Sequence, residues 1–166
     1  MTNSMKVSKI VQLLGYLGLI PFALPSIMVW NLSVNTPAEF LFLIFCVYSL
    51  LVCSFLTGTI WAFNINLNRS PLDSILLFLM PLISSFMLMA LFNQALALSM
   101  VNVNAIEGIV SIVLVSSLLL SYVILYAYEI KLFEHKYYYK KMRLWLTLAV
   151  ISAHVSWLLF FITRYF

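Results

Sequence analysis

Residues 40–68 read FLFLIFCVYSLLVCSFLTGTIWAFNINLN, a run of 29 residues without a formal charge. A helix needs about 20 consecutive, mostly apolar residues to cross the hydrocarbon core of a bilayer. The run therefore predicts one membrane-spanning helix. Outward from it, further charge-free intervals cover 10–38, 74–106, 108–128 and 144–163, with 29, 33, 21 and 20 residues. Each is long enough for one crossing, and almost nothing remains to form a water-soluble domain. The fold class that follows is an all-α integral membrane helical bundle, a single membrane domain over residues 1–166. Its five transmembrane helices are expected at about 9–30, 39–63, 73–93, 106–129 and 144–163.

The interval 74–106 is too long for one untilted span and too short for two with a turn. Asn93, Gln94, Asn102 and Asn104 place the exit of the third helix near Asn93, with 95–101 (ALALSMV) as a short interfacial or re-entrant helix. Five crossings put the termini on opposite sides, and positive residues collect on the cytoplasmic side. With the N-terminus inside, the inner segments hold Lys6, Lys9, Arg69, Lys131, Lys136, Lys140, Lys141 and Arg143, and the outer ones only Arg164. The expected topology is N-terminus inside and C-terminus outside.

Composition excludes several function classes. Charged residues make up 8% and apolar residues 64% of the chain, against about 25% and 45–50% in soluble domains. The mean hydropathy is +1.09. No basic face interleaved with aromatics exists outside one short loop, so nucleic acid is not an expected partner. The net charge of +4 reflects topology instead. Cys46 and Cys53 lie two helical turns apart, about 10 Å along the axis, which is too far to bridge. The first apolar run contains Pro21 and Pro25 and no A-x-A cleavage site follows it, so it reads as a retained helix. With no Arg- and Ser-rich transit peptide ahead of it, a bacterial inner membrane is the expected location.

Polar groups at bilayer depth are costly and tend to be functional. His154 lies near the middle of the fifth helix, and its only histidine companion, His135, lies in the inner loop. A structural zinc site wants four ligands, and no spacing here supplies them, so no metal is expected. His154 is the candidate intramembrane polar site, with a hydrogen bond to a neighbouring helix set against proton or quinone chemistry. Around it, Ala149, Ser152, Ala153 and Ser156 form a small-residue seam that allows close helix approach. A candidate groove between the first two helices comprises Gly15, Gly18, Pro21, Phe22, Ser54, Gly58 and Trp61. The prolines remove backbone donors and bend the first helix, which frees carbonyls for a neighbour or a ligand. The inner loop 129–143 (EIKLFEHKYYYKKMR) is the densest charged segment. Within it, Arg143 at the start of the fifth helix is expected to pair with Glu129 at the end of the fourth.

Three segments carry a family resemblance: 14–22 (LGYLGLIPF), 48–61 (YSLLVCSFLTGTIW) and 138–147 (YYKKMRLWLT). They resemble the small multi-pass membrane proteins that include transmembrane protein 69, catalogued as domain of unknown function 3429. Ser54, Phe55, Leu56, Gly58 and Trp61 match that family's Ser-Phe-Leu-Gly-Gly-x-His-Trp-Gly pattern. Thr57, Ile60 and Ala62 depart from it, at its first glycine, its histidine and its last glycine. The resemblance implies an inner-membrane location and brings no activity with it.

The chain shows no nucleophile–base or acid–base arrangement and no carboxylate in mid-span. It is expected to be a non-enzymatic inner-membrane protein, an accessory or assembly partner of a larger membrane complex. Its partners would be the lipid bilayer and another membrane protein or further copies of itself. The alternative is a lipid- or quinone-binding module using the groove between the first two helices, and a bound lipid or quinone is the ligand that groove would take. No other cofactor is expected. An enzyme with His154 as general base would need a partner group and a substrate path, and the sequence shows neither.

Overall fold

The computed structural model describes residues 12–31, 38–66, 75, 79, 81–90, 104–132 and 137–165. Among these every element is a helix. We label them α1 (Gln12–Asn31), α2 (Ala38–Asn66), α3 (Pro81–Ala90), α4 (Asn104–Leu132) and α5 (Tyr137–Tyr165). Four stretches have the length and hydropathy to cross a membrane: α1, α2, Gly108–Leu132 of α4 and Tyr139–Tyr165 of α5. The protein is a multi-pass membrane protein. The third expected span, 73–93, is described at Ile75, Leu79 and α3, whose ten residues are too few to cross alone. The expected re-entrant stretch 95–101 lies outside the described residues, as do residues 9–11.

Helix boundaries differ most where the sequence reading placed the inner loop. Residues 129–132 continue α4 and 137–143 already belong to α5, which leaves 133–136 outside the described residues. Hydropathy marks where a chain leaves hydrocarbon, whereas helices end where the backbone is broken or capped. The segment 129–143 contains no glycine or proline to break it. A 29-residue helix is about 44 Å long, so its ends project beyond a hydrocarbon core of about 30 Å.

α1 is interrupted at 18–19, where a turn separates a helical segment 12–17 from Ile20–Asn31. Pro21 has no N–H to continue the ladder. Around it the chain tightens: Leu19 N donates to Tyr16 O at 3.1 Å and Phe22 N to Leu19 O at 3.0 Å. The Gly18 carbonyl, which Phe22 would reach in a regular helix, accepts instead from the Tyr48 hydroxyl of α2 at 2.8 Å.

Cross-helix contacts fix the relative directions of the helices. α1 runs antiparallel to α2, as Gly18 meets Tyr48 and Phe22 meets Phe45. α1 runs parallel to α5, with Gly15 against Leu146 and Trp30 Nε1 donating to Ser156 Oγ at 2.9 Å. α4 runs antiparallel to α5, with Glu129 beside Arg143 and Gly108 against Tyr165. α2 runs parallel to α4: Tyr122 OH donates to Ser49 O at 2.8 Å, and Asn64 Nδ2 to Tyr128 OH at 2.9 Å. α3 touches the middle of α4, where Ser84 Oγ lies 3.2 Å from Ser117 Oγ.

The core sits inside the ring formed by α1, α2, α4 and α5. Phe22, Phe45, Cys46, Cys53, Leu118, Tyr122, Val150 and Trp157 are buried there. The outer faces are just as apolar, since Leu51, Phe55, Phe86 and Trp145 are all more than half exposed. In water such a surface would drive aggregation, whereas in lipid it is the solvated face.

Candidate functional site

A cavity of about 250 Å³ opens between α1 and α2, with α5 and Tyr122 of α4 behind it. α1 contributes Leu14, Gly15, Gly18, Leu19 and Phe22; α2 contributes Tyr48, Val52, Phe55 and Leu56; α5 contributes Arg143, Leu146, Thr147 and Val150. Each set recurs at three- and four-residue steps, which places it on one helical face. Gly15 keeps a gap open, because a Cβ there would sit 3.1 Å from Leu146 Cδ1. At Gly18 an added Cβ would lie 3.3 Å from the Gly15 carbonyl oxygen and at ordinary contact distance, 3.6 Å, from the Tyr48 hydroxyl.

Of the expected groove residues, the structure brings Gly15, Gly18 and Phe22 to this cavity. Pro21 is partly buried one position off its wall. Ser54, Gly58 and Trp61 are not among the residues that line it. They follow one another at four- and three-residue steps on the opposite face of α2, and all three are exposed. Trp61 is 57% exposed, and its indole N–H has no hydrogen-bond partner among the described residues. A Cβ added to Gly58 would meet nothing within 4 Å. On the face that does line the cavity, Tyr48, Val52 and Leu56 recur at four-residue spacing, the signal by which the sequence could have offered them.

At one end of the cavity stands an ion pair. Arg143 Nε donates to Glu129 Oε2 at 2.6 Å, and Nη2 meets the same oxygen. The Tyr139 hydroxyl donates to Oε1 at 2.8 Å. The Glu129 side chain is 4% exposed and that of Arg143 15%. A carboxylate so deeply placed needs compensation on both oxygens, and it has it. Tyr139 was not singled out in the sequence, although it lies one turn before Arg143 on the same face.

His154 is fully buried at the centre of the bundle. Phe22, Phe45 and Tyr122 surround it, with ring centroids at 6.0, 4.8 and 5.4 Å. Nδ1 lies 2.8 Å from the Val150 carbonyl and Nε2 lies 3.1 Å from Ser49 Oγ. A carbonyl only accepts, so Nδ1 carries a proton; in the neutral ring Ser49 then donates to Nε2. Both nitrogens are engaged, and His154 is not among the residues lining the cavity. Beside it, Trp157 Nε1 is buried with no partner among the described residues.

The seam predicted on the last helix divides. Ala153 and Ser156 face α1: Ser26 Oγ donates to Ala153 O at 3.5 Å and Ser156 Oγ to Ser26 O at 3.3 Å. Ser152 is exposed and bonds back to Ala149 O. Among the described residues no three His, Cys, Asp or Glu side chains gather in a metal-holding group.

A family model described as "Protein of unknown function (DUF3429)" matches residues 7–159. No curated protein and no solved structure matches the chain.

Proposed function

The chain belongs to the DUF3429 family, and on that premise we propose a five-span, non-enzymatic inner-membrane protein that holds a lipid or quinone chain in the groove between α1 and α2. The number of crossings rests on helix directions. Two parallel helices, α2 and α4, require the 37 residues of 67–103 to return from one end of the bundle to the other. That length exceeds the roughly 20 residues a crossing needs, and α3 lies beside mid-α4. Orientation rests on charge. The bundle end that carries Lys131, Lys140, Lys141 and Arg143 is the cytoplasmic one by the positive-inside rule. Fusion reporters at the two termini should then answer from opposite compartments, and equal answers overturn the topology.

The observation that carries the ligand reading is the cavity itself. Its walls are mainly Leu, Val and Phe, with Tyr48, Tyr122, Thr147 and Arg143 as its few polar groups. Apolar clefts with a few fixed polar groups are the usual form of small-molecule sites. Native mass spectrometry after mild solubilisation tests it. Wild type should retain a lipid or quinone, and Val52→Phe, which fills the wall, should lose it. A wild-type protein that emerges bare overturns the reading. His154 is not among the residues lining this cavity, and both its ring nitrogens are already hydrogen-bonded within the bundle.

A second reading, accessory to a larger complex, draws on the exposed Ser54–Gly58–Trp61 face of α2. Small residues in lipid allow a second helix to approach closely, and Trp61 offers it an unpartnered donor. The partner would be another membrane protein or a second copy of this chain. Crosslinking from position 58 tests it, and a strictly monomeric product in native membranes refutes it.

A further inference from the structure

We infer that the groove selects a lipid with an acyl chain in the cavity and an anionic headgroup at Arg143, an inference that rests on the ligand-binding reading above. The groove is graded from end to end. Leu14, Leu56 and Arg143 stand at one end, and Phe22, Tyr48 and Val150 at the other. From Arg143 to Val150 is about 10 Å along the helix. The Arg143 end coincides with the bundle end rich in Lys and Arg, which the positive-inside rule puts at the inner headgroup layer. The other end reaches the aromatic core around Phe22.

Charge identifies the head. Among the described residues, that end of the bundle carries Lys131, Lys140, Lys141 and Arg143 against Glu129 alone. Glu129 uses both oxygens on Arg143 and Tyr139. It holds the guanidinium through Nε and Nη2 and leaves Nη1 without a partner among the described residues. Lys140 lies one turn before Arg143, on the ridge that continues to Thr147 in the cavity wall. An anion at this mouth gains a guanidinium donor fixed in place and a second cation beside it. Lining identifies the tail: away from Arg143 the walls are mainly Leu, Val and Phe, the surface an acyl chain takes.

The test uses the full chain in mild detergent, stripped of lipid and titrated with two probes of equal chain, oleoyl lysophosphatidylglycerol and monoolein. Adducts are read by native mass spectrometry. Wild type should prefer the anionic probe by about tenfold or more. The double variant Glu129→Gln/Arg143→Gln removes both charges together and should bind the two probes within about twofold of each other. Should that variant fail to fold, Arg143→Lys keeps the pair and should lose at least about threefold of the preference. Excess inorganic phosphate should not displace the lysolipid; displacement would identify a free-phosphate site and overturn the lipid head. Equal binding of both probes by wild type overturns the headgroup inference and leaves the groove reading standing. Binding of neither probe removes the groove reading itself. A preference that persists without Arg143 also overturns the inference.

Discussion

Replacing Arg143 with Gln isolates the energetics of the pair that closes α4 onto α5. The substitution leaves the Glu129 carboxylate, 4% exposed, with the Tyr139 hydroxyl at 2.8 Å and no cation. Removing one partner of a buried pair typically costs 3–5 kcal/mol, because the other charge stays behind uncompensated. Two features put this case near the lower bound: Tyr139 still donates, and the pair lies at the bundle end that also carries Lys131, Lys140 and Lys141. The expected loss is about 3 kcal/mol, or more than about a hundredfold in the folding equilibrium. Adding Glu129→Gln removes the stranded charge while Tyr139 keeps an oxygen to bond, so the double variant should return to within about 1 kcal/mol of wild type. Unfolding in mixed micelles with increasing dodecyl sulfate, followed by circular dichroism, reads all three proteins. An Arg143→Gln protein within about 0.5 kcal/mol of wild type refutes the reasoning, and so does a double variant weaker than the single one.

Two alanine substitutions should separate a packed glycine from an open one. At Gly108 a Cβ would stand 2.7 Å from Tyr165 Cγ and 3.0 Å from its Cβ, so Gly108→Ala should destabilise by about 1–3 kcal/mol. At Gly58 the space is open, and Gly58→Ala should be neutral or stabilising by up to about 1 kcal/mol; the same unfolding assay ranks them. Tyr48→Phe strands the Gly18 carbonyl at the break in α1 and should cost about 1–2 kcal/mol, whereas Phe55→Leu on the same helix should cost less. Cys46 and Cys53 are both fully buried, so a lipid-permeant maleimide should label neither in the folded protein and both after denaturation.

The helices were legible because hydropathy reports where a chain sits in hydrocarbon. Their ends were less so: 129–143 looks like a loop by charge and is mostly helix by backbone. Glu, Lys and Arg carry a helix into the interface about as well as Leu does, provided no glycine or proline intervenes. The face of α2 was the least legible feature. In a soluble helix the buried side is the apolar side, but here lipid and core are equally apolar. Phe45 is fully buried and Phe55 is 70% exposed, yet they are the same residue type. Ser54, Gly58 and Trp61 therefore looked like a groove and face outward. Tyr48 and Tyr122 bond to main-chain carbonyls of another helix, and such a partner leaves no trace in the sequence of either strand of the contact. Glu129 and Arg143 were easier to read, since opposite charges at the facing ends of consecutive helices are brought together by the short connection between them.

The hydrogen bond from Ser26 to Ala153 joins residues 127 positions apart. A ribosome adding about 5–20 residues per second takes roughly 6–25 s to make that stretch. For that time the nascent α1–α2 hairpin waits in the bilayer without the helix that backs its groove. The Tyr48–Gly18 bond, formed between neighbours in the chain, is already available to hold the hairpin. The cavity between α1 and α2 is thus completed last, and a nascent chain stalled before residue 137 has a membrane anchor without the α5 wall of that cavity.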